Sequence, residues 1–102
     1  MGEDVLDEKG TRFTLQWNQL RWSLALQVHL LRTFRGWTIE DLSNKSGCSA
    51  RIIRRIEKGN CKRVTGTHLA QLAGAFDVGV VVRFVPWSSF LAAPYETEAK
   101  KA

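Results

Sequence analysis

Between Phe13 and Arg35 the apolar residues recur at helical steps. Leu20, Leu24, Val28 and Leu31 mark one stripe, and Trp17, Leu26, Leu30 and Phe34 widen it, as expected of a helix that buries one side. The pattern predicts one long helix, or a short helix leading into a main one. Gly36 is placed to cap it, with Arg32 and Arg35 in the last turn, where the helix dipole favours cations. A second helix is predicted after Thr38, which with Asp41 three residues on approximates a capping box. Ile39 and Leu42 give that helix its apolar face. Gly47 ends it, because glycine reaches a positive φ without a Cβ clash. Ser49 can cap a third helix from about Ala50 to Lys58, which Gly59 stops. Leu69, Leu72, Ala73 and Phe76 then predict a fourth helix over 67–76.

Asp77, Val78 and Gly79 form a break. The run VVVRFV at 80–85 is β-branched and aromatic, a strand signal that Pro86 stops. A lone strand leaves its backbone groups unpaired, so it is expected to pair near Phe13–Leu15 or with another copy of the chain. Trp87, Phe90 and Leu91 add an apolar patch. Trp87, Val80, Val82 and Phe84 are therefore the expected dimer contacts. The expected organisation is a mobile acidic tail at 1–12, a helical domain at 13–78, a strand and apolar patch serving dimerisation at 79–92, and a frayed tail at 93–102. The fold class is mainly α: four to five helices with a short C-terminal β-strand.

At 102 residues the chain supports one modest core. Its net charge of +5 is uneven. Residues 1–10 hold four carboxylates against Lys9, whereas Thr11 to Tyr95 hold twelve Lys and Arg against Glu40, Asp41, Glu57 and Asp77. A small body this basic usually meets polyanions, nucleic acid above all, although charge alone specifies no partner. No secretory leader and no apolar run of membrane-spanning length is visible, so a cytoplasmic location is expected. Cys48 and Cys61 fit a reduced compartment better than a disulfide framework, with Cys48 read as a small buried hydrophobe. With His68 they do not make a zinc spacing. No metal and no cofactor is expected. His29 and His68 have no matched carboxylate or cysteine, and no catalytic constellation stands out, so an enzyme is not expected.

The third helix carries the most informative chemistry. Ile53 and Ile56 can face inward, while Arg51, Arg54, Arg55 and Lys58 fall mostly on one outward side. Ile52 can pack at the edge of the core or touch a thymine methyl. Lys62 and Arg63 follow in a loop near the same surface.

The run RTFRGWTIEDLSNKSGCSARIIRRIEKG, residues 32–59, resembles the lambda-repressor-like (Cro/CI, XRE) helix-turn-helix family, with weaker support from the helix at 67–76 and the FDV after it. The specific parts are RGWT before E-D-L, SGCS before the third helix, and R-I-E-K-G at its end; the match covers about residues 24–78. The resemblance implies that Ser49, Ala50, Arg51 and Arg55 touch base edges, and that Arg54, Lys58, Asn60, Lys62 and Arg63 meet phosphate. It also implies a salt bridge between Arg32 and Glu57 that joins the first helix to the end of the third. Two residues depart from the pattern. Ile39 stands where many members carry a phosphate-touching glutamine, and Ala50 is small where a base-reading side chain often sits.

The expectation is therefore a sequence-specific regulator of double-stranded DNA, acting as a homodimeric repressor on a pseudo-palindromic operator. The competing expectation is an antitoxin that binds its own promoter and holds a toxin through the acidic N-terminus or the segment WSSFLAAPY.

Overall fold

The computed structural model describes residues 2–92, with side chains from Gly10 onward. It is a bundle of five helices: α1 (Gly2–Phe34), α2 (Ile39–Ser46), α3 (Ala50–Glu57), α4 (Gly66–Phe76) and α5 (Trp87–Leu91). Short turns with designed ends set the packing. Thr38 and Asp41 form both halves of a capping box: the Asp41 N–H donates to Thr38 Oγ1 at 3.0 Å and the Thr38 N–H to Asp41 Oδ2 at 2.9 Å. Gly47, at φ 81°, turns the chain between α2 and α3 and donates its N–H to the Ser43 carbonyl. Ser49 caps α3 by accepting from the Ile52 N–H at 3.2 Å. These four residues join two short helices through a tight turn and satisfy several of the backbone groups that helix ends leave open.

The core is built from Val28 of α1, Leu42 of α2, Cys48 in the turn, Ile53 and Ile56 of α3, and Leu72 and Phe76 of α4, all buried. Trp37 stacks on Phe76 with ring centroids 5.9 Å apart. Arg35 closes that corner from the turn after α1, lying over both rings and donating to the Phe76 carbonyl at 2.7 Å. Cys48 and Cys61 are both buried free thiols. Burial pushes both above the ordinary thiol value, because the thiolate loses solvation.

Three expectations change. The first helix is one continuous element, and it begins at Gly2, so residues 2–12 are helical where the sequence pointed to a tail. A helix start carries no periodic signal of its own, so apolar spacing could not place it. The buried face of α1 is also narrower than the apolar pattern. Ala25 and Val28 are buried, but Leu20, Leu26, Leu30 and Phe34 are exposed, Phe34 at 85%. The bundle packs against only one side of α1, so apolar spacing alone overestimates what a single chain can cover. Finally, residues 78–86 form neither helix nor strand, and no strand is present among the described residues. High β-propensity does not suffice within one chain, where no other described segment accepts the ladder. The patch after it is instead the short helix α5, whose Trp87 stacks on Phe90 at 4.9 Å and lies beneath Arg12 of α1. The expected tail at 93–102 lies outside the described residues.

Gly59 has the tightest surroundings of the helix-ending glycines. It sits at φ +79°, and a Cβ built there would meet the Trp22 ring at 2.7–3.0 Å. Gly47→Ala should cost only the left-handed backbone term, about 1–2 kcal/mol, since its nearest contact would be an ordinary 3.5 Å. Gly59→Ala should cost about 1 kcal/mol more than that, because the ring must also give way. Urea denaturation of the two variants checks the order; equal losses would mean that Trp22 does not press on Gly59.

Candidate nucleic-acid interface

The outward face of α3 is set by its inward one. Ile53 and Ile56 are fully buried, and the 3.6-residue repeat then turns Arg51, Arg54, Arg55 and Lys58 to the other side. Arg51, Arg54 and Lys58 are exposed and Arg55 is half-buried. No carboxylate pairs with Arg51, Arg55, Lys58, Lys62 or Arg63 among the described residues. Arg54 is different: its guanidinium is held by Glu40 of α2. Both side chains are at least half-exposed, so the pair is worth little and a phosphate can compete for the arginine. Ser49 is exposed with its oxygen committed to the α3 cap, which leaves its O–H free to donate. Ala50 is half-buried at the start of the helix, and Asn60, Lys62 and Arg63 are exposed just beyond its end.

A charged clamp sets the angle of this helix. Arg32 of α1 reaches Glu57 at the end of α3 through two contacts, Nε to Oε2 at 2.7 Å and Nη2 to Oε1 at 2.8 Å. Its remaining Nη1 donates to the Trp37 carbonyl at 2.8 Å. His29 Nδ1 lies 2.9 Å from the same Glu57 carboxylate. The pair is largely buried, with 13% and 10% of the two side chains exposed. Burial alone would push Glu57 up, but the bonds from Arg32 and His29 outweigh it and hold the carboxyl below its ordinary value. Glu57 in turn raises the Arg32 guanidinium.

A family model described as helix-turn-helix, of the Cro/CI-like type, matches residues 28–82. The chain belongs to that helix-turn-helix family. It is accordingly a DNA-binding transcriptional regulator, with α2 and α3 as the motif and the clamp joining α3 to α1. No curated protein and no solved structure matches this helix-turn-helix chain. No described helix is long and apolar enough to cross a membrane.

The residues singled out from the sequence thus fall into two groups. Ser49, Ala50 and Arg51 lie at the start of α3, with Arg54 and Arg55 in its last turn; Lys58, Asn60, Lys62 and Arg63 lie at and after its end. Val80, Val82 and Phe84 lie apart in the extended 78–86 segment and are exposed, Phe84 completely. Arg21 belongs to no motif in the sequence. Its position was legible in the register: Arg21, Ala25, Val28 and Arg32 follow at steps of four, three and four, the stripe of α1 that meets α3. Two apolar residues of that stripe are buried and an arginine stands at each end.

Proposed function

We propose that the protein is a homodimeric repressor that lays α3 in the major groove of a pseudo-palindromic operator. The observation that carries the reading is the outward face of α3, where Arg51 and Arg55 stand one helical turn apart with no carboxylate partner among the described residues. A guanidinium can bond bidentately to O6 and N7 of guanine, and residues four apart on a helix are about 6 Å apart. That separation spans roughly two base-pair steps of about 3.4 Å. In this reading Arg51 and Arg55 read bases, assisted by the Ser49 hydroxyl and the close approach that the small Ala50 permits. Arg54, Lys58, Asn60, Lys62 and Arg63 grip phosphates. Ile39 offers no polar contact where α2 begins, which shifts the backbone grip onto α3 and its loop.

The exposed apolar side chains support the second copy. Val80, Val82 and Phe84 are joined by Leu26, Leu30 and Phe34, which form an exposed row at four-residue steps on α1. Apolar area of this kind is costly to leave in water and marks contact surfaces. A dimer would set its two recognition helices about 34 Å apart, one turn of the duplex.

Selecting bound duplexes from a random pool tests the reading. An inverted repeat with that spacing is expected, together with a dimer mass on the selected site. A single asymmetric site bound by one chain would remove the dimer, and one-to-one co-purification with a second protein through the apolar surface would favour the antitoxin reading. Lys62→Ala should weaken every duplex alike and lower the slope of log affinity against log salt by about 0.9. A loss confined to the selected sequence would show that Lys62 reads bases.

A further inference from the structure

Beyond α3 the chain holds a groove between α1 and the loop that follows α3, lined by Trp17, Arg21, Lys58, Gly59, Asn60 and Lys62. Three of these six are cations and none is a carboxylate. Trp17 and Arg21 lie outside the matched family segment, on the N-terminal extension of α1. Lys58 belongs at once to this groove and to the outward face of α3, so the two surfaces are continuous.

Arg21 is held in place without being neutralised. Its Nε donates to Asn18 Oδ1 at 3.0 Å and its Nη1 lies 3.4 Å from the Gly59 carbonyl. Its guanidinium sits 4.7 Å from the centre of the Trp22 ring, and that ring rests on Gly59, which has no Cβ to push it away. A guanidinium has five N–H donors; two are used here, and the others have no acceptor among the described residues. A cation placed by packing, with spare donors and two lysines on the same groove, is arranged for an anion. The planar fork suits phosphate oxygens.

The geometry points to a phosphate site at which Arg21, with Lys58, Lys62 and Asn60, holds a backbone phosphate of the operator duplex outside the bases that α3 reads. This rests on the DNA-binding reading above and adds a contact from the extended part of α1. Arg21 is a binding residue here; Trp22 and Asn18 position it.

The test uses the full chain and the selected duplex, with single phosphates replaced by neutral methylphosphonates along each flank. For the wild-type protein neutralising one flanking position should weaken binding, and for Arg21→Gln the loss at that position should be markedly smaller. The salt slope of Arg21→Gln should be smaller by about 0.9, so that it loses roughly threefold less affinity than wild type between about 50 and about 200 mM salt. A purely structural role for Arg21 would move the melting temperature and leave both the slope and the methylphosphonate pattern unchanged, and that result overturns the proposal. Asn60→Asp, an isosteric change at an exposed position, guards against misfolding of the arginine variant. It should abolish sensitivity at the same flanking position by placing a carboxylate among the cations; retained sensitivity counts against the site. A wild-type chain that binds no duplex in a salt-dependent manner would overturn the functional reading itself, whereas wild-type binding with an unchanged Arg21→Gln pattern overturns only the groove.

Discussion

Replacing both Arg51 and Arg55 by alanine is expected to lower affinity for a selected operator by about 2–6 kcal/mol, roughly thirtyfold to ten-thousandfold. The same variant should bind a random duplex of equal length with a far smaller loss. The difference follows from where the energy resides. A bidentate bond to a guanine edge is made only with the right base, whereas the phosphate contacts proposed for Lys58, Lys62 and Arg63 would form on any sequence. The fold should be unaffected, because Arg51 is exposed, Arg55 is half-buried and neither has a carboxylate partner among the described residues. Competition assays with the two duplexes decide the matter. Equal losses on both would mean that these arginines grip the backbone and that bases are read elsewhere.

The second large effect concerns the clamp. Glu57→Ala should destabilise the fold by about 3–5 kcal/mol, since it leaves Arg32 largely buried without its counter-charge. For a domain of this size that is a large fraction of a total stability of roughly 5–15 kcal/mol. The clamp also predicts an acid limb. Glu57 titrates below its ordinary value of 4.5 in the folded chain. Its contribution is therefore fully present above that value and is lost as pH falls through the lower folded value. Glu57→Gln should flatten this limb while keeping the side chain's size. Urea midpoints measured from neutral pH down into the acid range provide the check. Parallel profiles for wild type and Glu57→Gln would show that the carboxylate charge does not hold α3 to α1. Because the clamp fixes the end of α3, the alanine variant should also weaken operator binding under conditions where it is still folded.

How much of this was legible before the structure depends on the range of the interaction. Thr38, Asp41, Gly47, Ser49 and Gly59 act on backbone groups within a few residues of themselves, so the ends of α2 and α3 could be read directly. Ile53 and Ile56 against the arginines likewise separated the two faces of α3 by periodicity alone. The pairing of Arg32 with Glu57 spans 25 residues; the family resemblance supplied it, and no local pattern would have. The strand expected at 80–85 shows the opposite case, where local preference was strong but no other described segment of the chain pairs with it. Glu40 holding Arg54, and Trp22 resting on Gly59, join residues far apart in the chain that carry no matching signal.

The sequence by itself determined the helix-turn-helix, the outward basic face of α3 and the apolar core, because caps, turn glycines and helical periodicity are encoded residue by residue. Only the tertiary structure decided which side of α1 is buried, that residues 2–12 extend it, that 78–86 pairs as a strand with no other described segment of the chain, and that Arg21 meets Lys58 and Lys62 in one groove. Those outcomes depend on how the elements cross, and a crossing is set by the joint packing of side chains distant along the chain.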